Sequence, residues 1–595
     1  MKKRVLILLI ALMLLVVAGC AATGTQPEAE ATQQTAGQTA AEAAVETITQ
    51  TGTAAITLSG STASVDGTGA TADGNTVTIT AGGTYTLTGT LDGQIIINAG
   101  KKDKVELVLN GVTITSSTSA AIYAEQADKT YITLAEGTVN TLTDASSYTY
   151  ADAQADEPNA ALYAKDDLTI RGSGTLTVYG NYQNGISTKD DLVIEGGTIY
   201  VQAENHGLRG KDSVTISGGT ITINAGDDGI QSDNTESAED GTILIEGGTL
   251  AITCAHDALQ AETLLTIAGG EISIVAGGGY TTESYSSTES YKALKSCGDI
   301  LITGGSISAN SLDDTIHAAG DVTISGGTLS LMSRDDGVHA DDTVSITGGT
   351  LDILICYEGI EGTVVNLGGG TITLLSADDG INAADTSQSG QSDQMGMFGG
   401  WGSSGDSSLQ VNITGGVITI NAYGDGIDSN GSVTMTGGEL YISGPVSSAN
   451  GALDYDSSFS ISGGVLVAAG STGMAQTPDS SSSQPSVIVY FTSTQSSGNT
   501  YLLTDTSGNI ITSIAPDKEF QCIVFSAPQL VSGSTYYVYE STDGTLAGAT
   551  QLYDFTLSGT VTSVGGSSYG QGTQTWQTQN FQQNNGGPQQ NNRRP

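Results

Sequence analysis

The chain has 595 residues, with 81 glycines against 9 prolines, and its 63 acidic and 18 basic side chains give a formal net charge of −45. A chain with this much negative charge attracts cations and repels nucleic acid and anionic lipid, which argues against a nucleic-acid-binding function. The glycine content, together with abundant Thr, Ile and Val, favours many short strands joined by tight turns and predicts an all-β protein.

The N-terminus has the organisation of a secretory signal peptide over residues 1–19. A basic MKKR start precedes an apolar run and the sequence VAGC, and no later hydrophobic stretch reaches the roughly 20 residues of a membrane span. The VAGC sequence resembles the bacterial lipoprotein box, which implies a diacylated Cys20 and an extracellular protein anchored to the bacterial cell membrane. A plain secretion signal with an incidental cysteine is the alternative. Residues 20–50 are predicted to be a flexible tether.

A repeat dominates residues 116–475. Gly-Gly pairs recur, many of them 22 residues apart, and one unit reads SVTISGGTITINAGDDGIQSD. Three short segments of each unit alternate apolar and polar residues, which is the pattern of strands with one inward face. Three strands and three turns in about 22 residues predict one coil of a parallel β-helix, in which stacked coils bury a shared core. Residues 51–115 are interpreted as an N-terminal β cap with the first coils.

The period is lost after residue 475. Residues 484–556 alternate like antiparallel strands, and we predict a small C-terminal β module that covers the last coil. Residues 557–595 are biased toward Gln, Asn and Gly and are predicted to be disordered. The four cysteines beyond Cys20 lack the spacing of a zinc site and are interpreted as buried free thiols.

Aligning the repeats assigns two columns of aliphatic side chains to the core. One column contains Ile194, Ile216, Ile245, Ile267, Ile302, Ile324 and Ile346, and the other contains Ile186, Leu208, Ile230, Leu259, Leu294, Ile316, Val338, Ile360, Ile381 and Ile427. The residue two positions before the second column is acidic in most coils. Several of these acids follow another acid, so the alignment predicts a stack of carboxylates along one corner of the coils.

Stacked carboxylates need a counter-charge. At the strand spacing of about 4.8 Å, two of them repel by about 3.5 kcal/mol at an effective dielectric constant near 20. Turn capping by Asp is one explanation of the pattern. Because few Lys or Arg residues are near, a bound divalent cation is the other, and clustered carboxylates favour Ca²⁺. The predicted calcium ligands are Asp227, Asp228, Asp257, Asp313, Asp314, Asp335, Asp336, Glu358, Asp378, Asp379 and Asp425.

The residue one position beyond the second aliphatic column is predicted to point outward. All four histidines of the chain lie in this column or in the acidic corner, and loops at 146–159, 233–241, 278–290 and 385–408 flank the same short strand. Loops on one edge of a rigid scaffold commonly bind ligands, and aromatic rings among polar groups suit an extended polysaccharide. The predicted carbohydrate-binding residues are Tyr182, His206, Arg209, His256, Tyr280, Tyr285, Lys295, His317, His339 and Trp401.

The leader followed by coils of the form VTISGGTITINAGDDGI resembles the clostridial family of cellulose- and acidic-sugar-binding proteins, the carbohydrate-binding domain-containing lipoproteins. The resemblance covers about residues 55–475. It implies a right-handed parallel β-helix similar to polysaccharide lyases, calcium ions at the coil turns, and binding of cellulose or polygalacturonate without established catalysis. We expect a monomer. Because the chain is strongly acidic, we also expect any pectate binding to depend on calcium bridging.

Two other classes of function remain open from the sequence. A calcium-dependent pectate lyase or a polygalacturonase-like hydrolase can use the same fold, and a lyase would use a basic residue such as Arg209 or Arg334. Against an enzyme, the acids are repeated rather than singular, and the order of His206 and the acids after it is the reverse of the hydrolase order. A structural surface adhesin is the second alternative, but it would need neither the histidines nor the loops on one edge.

Overall fold

The computed structural model of the chain describes residues 51–150, 152, 154–385 and 406–565. These residues form strands and turns, with no helix among them. Within this part of the chain, 47 strands are hydrogen-bonded into one mostly parallel sheet, and four more form a separate sheet. The predicted all-β class is therefore confirmed, and the architecture is solenoid-like. The signal peptide, the tether and most of the predicted disordered tail lie outside the described residues.

None of the described segments is a helix long and apolar enough to cross a bilayer.

The strands form three parallel stacks, and one passage of the chain through all three is called a coil below. In the first stack, strands alternate inward aliphatic and outward polar residues. The first stack contains β1 (Gly52–Gly60), β5 (Gly83–Leu91), β7 (Lys104–Thr115), β9 (Lys129–Leu134), β12 (Asp167–Gly172), β15 (Asp191–Ile194), β18 (Ser213–Ile216), β21 (Thr242–Ile245), β24 (Leu264–Ile267), β27 (Asp299–Ile302), β30 (Val322–Ile324), β37 (Gln410–Ile413), β40 (Ser432–Met435) and β43 (Ser458–Ile461).

The second stack follows the Gly-Gly turns and begins beside the end of β7. It contains β10 (Val139–Thr143), β13 (Thr175–Gly180), β16 (Thr198–Ala203), β19 (Thr220–Ala225), β22 (Thr249–Cys254), β25 (Glu271–Ala276), β28 (Ser306–Ser311), β31 (Thr328–Met332), β33 (Thr350–Cys356), β35 (Thr371–Ser376), β38 (Val417–Ala422), β41 (Glu439–Ser443) and β44 (Val465–Gly470). The second glycine of each turn has a positive φ, as at Gly270 with 92°, which a residue without a Cβ adopts at no steric cost.

The third stack has the shortest strands and carries the candidate site. It contains β4 (Thr76–Ile79), β6 (Gln94–Asn98), β8 (Ile122–Gln126), β11 (Ala160–Ala164), β14 (Asn184–Thr188), β17 (Leu208–Gly210), β20 (Ile230–Ser232), β23 (Leu259–Ala261), β26 (Leu294–Ser296), β29 (Ile316–Ala318), β32 (Val338–Ile346), β34 (Ile360–Leu367), β36 (Ile381–Ala383), β39 (Ile427–Ser429) and β42 (Leu453–Tyr455). Strands β32 and β34 continue into the first stack without a break.

The register of the stacks confirms both predicted aliphatic columns. In the first stack Ile194 pairs with Ile216 and Ile216 with Ile245, and in the third stack Ile186 pairs with Leu208 and Leu208 with Ile230. All these side chains are almost completely buried and belong to one continuous apolar cluster. A coil that cannot bury its own aliphatics thus shares a core with its neighbours.

Antiparallel strands occupy both ends of the parallel stacks. At the N-terminal end β2 (Ala63–Thr68) pairs with β1, and β3 (Ala70–Asp73) pairs with β4. At the C-terminal end β48 (Phe520–Ser526) lies between β44 and β45 (Ser486–Gln495), and β51 (Val561–Gly565) pairs with β45. The separate sheet contains β46 (Thr500–Asp505), β47 (Ile510–Ile514), β49 (Thr535–Ser541) and β50 (Thr550–Thr556).

The cysteine prediction is partly wrong. Cys254, Cys356 and Cys522 are buried free thiols, but Cys297 is exposed. Cys297 directly follows Ser296, the last, buried residue of β26, and therefore lies on the outer side of the turn.

Candidate functional site

The residues two positions before the third-stack aliphatics form the corner column. They are Asn184, His206, Asp228, Asp257, Lys292, Asp314, Asp336, Glu358, Asp379 and Asp425. One oxygen of an acid in this column accepts a hydrogen bond from the backbone N–H of the next corner residue: Asp257 donates to Asp228 at 3.0 Å and Asp336 donates to Asp314 at 3.0 Å. Because the corner of each coil would otherwise leave an N–H unpaired, the acids cap the turns of the coils that follow.

The second oxygen of a corner acid faces the residue three positions later. That residue stands in the outward column, which contains Ser187, Arg209, Gln231, Gln260, Lys295, His317, His339, Glu361, Asn382 and Asp428. Gln231 donates to Asp228 at 2.9 Å, and Nδ1 of His317 lies 2.9 Å from Asp314. The corner residue lies in the turn before the strand, so the alternation of faces along the strand does not separate its side chain from that of the outward residue.

Basic side chains lie closer to some of these acids than their scarcity in the sequence suggested. Nζ of Lys292 lies 2.7 Å from Asp313 and 2.9 Å from Asp314, while Lys295 donates to Asp257 at 2.8 Å. Burial alone would lower the pKa of Lys292, but the two aspartates outweigh it and raise the pKa. The expectation that a divalent cation must balance the charge therefore does not apply to Asp257, Asp313 and Asp314, which have lysine partners.

Three acids of the corner and outward columns, near their C-terminal end, lack lysine partners. Ligand oxygens of Asp379, Asp425 and Asp428 lie within 4.8 Å of one another, and no Lys, Arg or His of the described residues forms an ion pair with them. Burial and the neighbouring acids raise the pKa of Asp379 and of Asp425 to about 7, and that of Asp428 to about 8. At position 428 the outward column thus offers a third carboxylate, where most other coils offer a hydrogen-bond donor.

A neutral oxygen accompanies these three carboxylates. Asn382 stands next to Asp428 in the outward column and is only 8% exposed. Its Nδ2 donates to Glu358 at 2.8 Å, whereas its buried Oδ1 has no hydrogen-bond partner among the described residues. A buried carbonyl oxygen without a donor is costly, and oxygen ligands of this kind suit Ca²⁺. Asn382, Asp379, Asp425 and Asp428 are called the oxygen cluster below.

The other predicted calcium ligands have varied surroundings. Asp227 lies 2.5 Å from Nδ1 of His256, and Asp336 lies 2.9 Å from Nδ1 of His339. Burial, with the nearby Asp257, raises the pKa of Asp228 to about 7, and burial raises that of Glu358 to about 7. Asp335 lies with Asp313 and Asp314 in another acidic group, and Asp378 forms a hydrogen bond that raises the pKa of Tyr357.

Three of the predicted carbohydrate-binding residues, Tyr182, His206 and Arg209, lie close together. They line a cavity of ≈ 740 Å³ beside the loop before β11, a size within the range of about 300–1,000 Å³ found for ligand pockets. The ring of Tyr182 stacks on Tyr148 with 4.4 Å between centroids. Burial is the main reason that the pKa of His206 is lowered. The cavity therefore combines an aromatic wall, a neutral imidazole and a cation.

The remaining predicted sugar-binding residues are spread along the same edge. Tyr285 is exposed and lies under the guanidinium of Arg334 at 4.8 Å, and the backbone N–H of Tyr280 donates to Asn310. Lys295, His256, His317 and His339 face acids, as described above. Trp401 lies outside the described residues.

Both arginines considered as a lyase base are engaged in holding loops. Arg209 donates to both oxygens of Asp233 at 2.8 and 2.7 Å, and Arg334 donates to the carbonyl of Thr282. Both guanidiniums thus hold the flanking loops in place.

Sequence reasoning omitted several residues of this edge from the site. Asp428, Asn382 and Glu361 belong to groups of converging ligand atoms or donors, and Tyr357 and Tyr423 are 47% and 57% exposed beside the corner. The spacing of three between corner and outward columns was the available signal, as in the GDGID sequence around Asp425. The sequence could not show in which direction the second carboxylate oxygen of each corner acid points.

Comparisons with known proteins identify one family and two similar proteins. A family model described as carbohydrate-binding domain-containing protein matches residues 73–337, 318–401 and 335–490. A carbohydrate-binding domain-containing protein of Acetivibrio thermocellus is 51% identical over 128 residues, which are 21% of this chain and 45% of that protein, so the chain spans less than half of that relative's length. The gadolinium derivative of a polysaccharide lyase-like protein from C. thermocellum is 42% identical, with a TM-score of 0.39, and the match covers 42% of this chain and 96% of that one.

Proposed function

The chain belongs to the carbohydrate-binding domain-containing protein family, and we propose that it binds plant-type polysaccharide, cellulose or polygalacturonate, along the edge formed by the corner and outward columns. In this proposal the stacks form a right-handed parallel β-helix with about 22 residues per coil. The protein is exported, anchored to the bacterial cell membrane through a lipid on Cys20, and acts as a monomer.

Calcium is the proposed cofactor, and the oxygen cluster is its proposed site. The observation that carries this proposal is the convergence of three carboxylates within 4.8 Å without a cationic partner in the described chain. The buried Oδ1 of Asn382, which no described residue satisfies, adds a fourth oxygen. Ca²⁺ prefers carboxylate and carbonyl oxygens at 2.3–2.6 Å and fills the rest of its shell with water or ligand.

An acidic glycan needs such an ion to approach this surface. The chain carries a formal charge of −45, so a uronate carboxylate is repelled unless a cation lies between the two. Calcium held by the oxygen cluster would offer open positions to that carboxylate. The exposed rings of Tyr357 and Tyr423 flank the cluster and would stack on the C–H faces of neighbouring sugars.

A neutral glycan would use the aromatic cavity instead. Tyr182 presents a ring fixed by its stack on Tyr148, and Asn184, Gln231 and Arg209 offer donors and acceptors for hydroxyl groups in the same cavity. Cellulose binding at this place requires no metal. The two glycans are therefore expected to differ in their response to a chelator.

The test is affinity electrophoresis of the full chain in gels containing soluble pectate and co-sedimentation with cellulose, each with calcium and with a chelator. We expect pectate binding to weaken at least about ten-fold on chelation or in Asp428→Asn, and cellulose binding to persist. Asp352→Asn is the matched control, because Asp352 lies in β33, away from the corner column. Pectate binding that survives both chelation and Asp428→Asn would contradict the calcium proposal. Release of unsaturated sugars would instead support the lyase alternative.

A further inference from the structure

Two histidines occupy successive positions of the outward column. His317 in β29 pairs in register with His339 in β32, and their ring centroids are 4.8 Å apart with the planes tilted by 33°. Both side chains are mostly buried yet keep some access to solvent, with exposed fractions of 22% and 10%. One small ligand can therefore contact both imidazoles at once from the solvent side of the edge.

Each imidazole is oriented by a carboxylate on Nδ1. Nδ1 of His317 lies 2.9 Å from Asp314, while Nδ1 of His339 lies 2.9 Å from Asp336 and 3.0 Å from Glu361. When a carboxylate accepts the Nδ1 proton, the ring is fixed and Nε2 becomes the nitrogen that binds a metal. The paired rings thus have the outer support that metal-binding histidines commonly have.

An oxygen ligand lies on the Nε2 side of His339. Oδ1 of Asp341 is 3.4 Å from Nε2 of His339. In a tetrahedral shell with Zn–N bonds of about 2.0–2.1 Å, two imidazole nitrogens lie about 3.3 Å apart. The ring centroids are 4.8 Å apart in this structure, and a bound Zn²⁺ would bring the two Nε2 atoms to the tetrahedral spacing. Two nitrogens and one carboxylate oxygen then leave one position for water.

The local charge also favours a divalent cation. Asp336 and Glu361 lie 2.9 and 3.0 Å from Nδ1 of His339, and Asp341 lies 3.4 Å from its Nε2. This concentration of negative charge attracts a cation to the paired rings.

We propose that His317 and His339, with Asp341, form a binding site for a transition-metal ion of the Zn²⁺ class, distinct from the oxygen cluster. Imidazole nitrogen suits Zn²⁺, Ni²⁺ and Cu²⁺, whereas Ca²⁺ prefers oxygen alone. The bound ion would join two adjacent coils and leave one position open to water or to a sugar hydroxyl. The site does not depend on calcium at the oxygen cluster, because none of its ligands belongs to that cluster.

The test uses the full chain, freed of metal with a chelator and titrated with Zn²⁺ by calorimetry in excess Ca²⁺. We expect His317→Gln and His339→Gln each to weaken Zn²⁺ binding at least about ten-fold, and Co²⁺ to give the absorption of nitrogen ligation only when both histidines are present. His256→Gln is the matched control, because it removes another imidazole of the same edge that faces Asp227.

The possible results distinguish this histidine site from a group of carboxylates that binds any divalent cation. Zn²⁺ affinity that is unchanged in His317→Gln, or lost in His256→Gln, would overturn the proposal, as would complete displacement of Zn²⁺ by Ca²⁺. If His339→Gln does not fold, His317→Gln decides alone, since Asp314 keeps its ion pair with Lys292 in that variant.

Discussion

Asp379 accepts a 2.6 Å hydrogen bond from the backbone N–H of Asp425, which stands 46 residues later in the sequence but one coil away in space. The same bond joins Asn184 to His206 across 22 residues and Asp228 to Asp257 across 29. Insertions between coils therefore leave the corner unchanged. A carboxylate in the corner column makes two contacts. One oxygen accepts a hydrogen bond from the backbone N–H of the next corner residue, and the other faces a side chain of the outward column.

The first prediction concerns whether the removal of one charge from the oxygen cluster raises or lowers the free energy of unfolding. Asp428→Asn removes one of three carboxylates that repel one another once they are ionised, so without calcium and above about pH 8 we expect the free energy of unfolding to rise by about 1–3 kcal/mol. In excess calcium the advantage of the variant should shrink, because at 100 times the parent's dissociation constant a ten-fold weaker site contributes about 1.4 kcal/mol and the parent's site about 2.7 kcal/mol. Urea denaturation with a chelator and with calcium measures both changes.

The control for this variant is Asp352→Asn, which changes the net charge equally in β33, away from the corner. Its effect should be small and the same in both buffers. A destabilising effect of Asp428→Asn under both conditions would contradict the assignment, since it would mean that Asp428 contributes to the fold by itself.

The second prediction is a pH dependence of the calcium-free protein. Burial and neighbouring acids raise the pKa of Asp379, Asp425 and Asp428 to between about 7 and about 8 in the folded chain, above the value near 3.9 of an unfolded Asp. The folded state then binds more protons than the unfolded state. The stability from these groups is complete below about pH 4 and is lost as the pH rises to about 8.

The measurement is thermal unfolding between about pH 5 and about pH 8, with a chelator and with calcium. Without calcium we expect a decrease on the order of a few kcal/mol, since one pKa unit corresponds to about 1.4 kcal/mol. Calcium should remove much of the decrease, and Asp428→Asn should reduce it. Equal slopes in all three samples would show that other acids dominate the pH response.

The columns of this fold could be predicted from the sequence because the repeat transfers one local geometry to every coil. The pairing of Ile194 with Ile216 and of His317 with His339 follows from the spacing alone. The partners of individual acids could not be predicted in this way. Lys292 stands in the corner column but reaches Asp313 and Asp314 of the next coil, a direction that depends on side-chain torsions and not on register.

The third prediction tests the close approach of coils at the Gly-Gly turns. Gly464 has a φ of 83°, and a Cβ there would lie 2.7 Å from the backbone of Gly437 in the preceding coil. We expect Gly464→Ala to reduce the free energy of unfolding by about 2–5 kcal/mol, from the strained φ and from the clash. The clash is with backbone atoms, which cannot move aside as a flexible side chain can.

Gly498→Ala is the matched control for this substitution. Gly498 also has a positive φ, 95°, but a Cβ there would meet nothing within 4 Å. Its cost should be only the about 1–2 kcal/mol of the left-handed conformation. If the two variants lose equal stability in urea, the contact between successive turns contributes nothing and φ alone explains the glycines.

The last prediction separates ring stacking from calcium binding. Tyr423 is 57% exposed two residues before Asp425, and Nζ of Lys518 lies 4.4 Å from its ring centroid. We expect Tyr423→Ala to weaken pectate binding by about 1–3 kcal/mol, about 5- to 150-fold, while calcium still stabilises the protein to the same extent. Tyr537→Ala in β49 is the control, because its partly exposed ring lies in the separate C-terminal sheet. Affinity electrophoresis on pectate with excess calcium compares the three chains. Loss of calcium stabilisation in Tyr423→Ala would mean that the ring supports the oxygen cluster, and equal losses in both variants would mean that neither ring contacts sugar specifically.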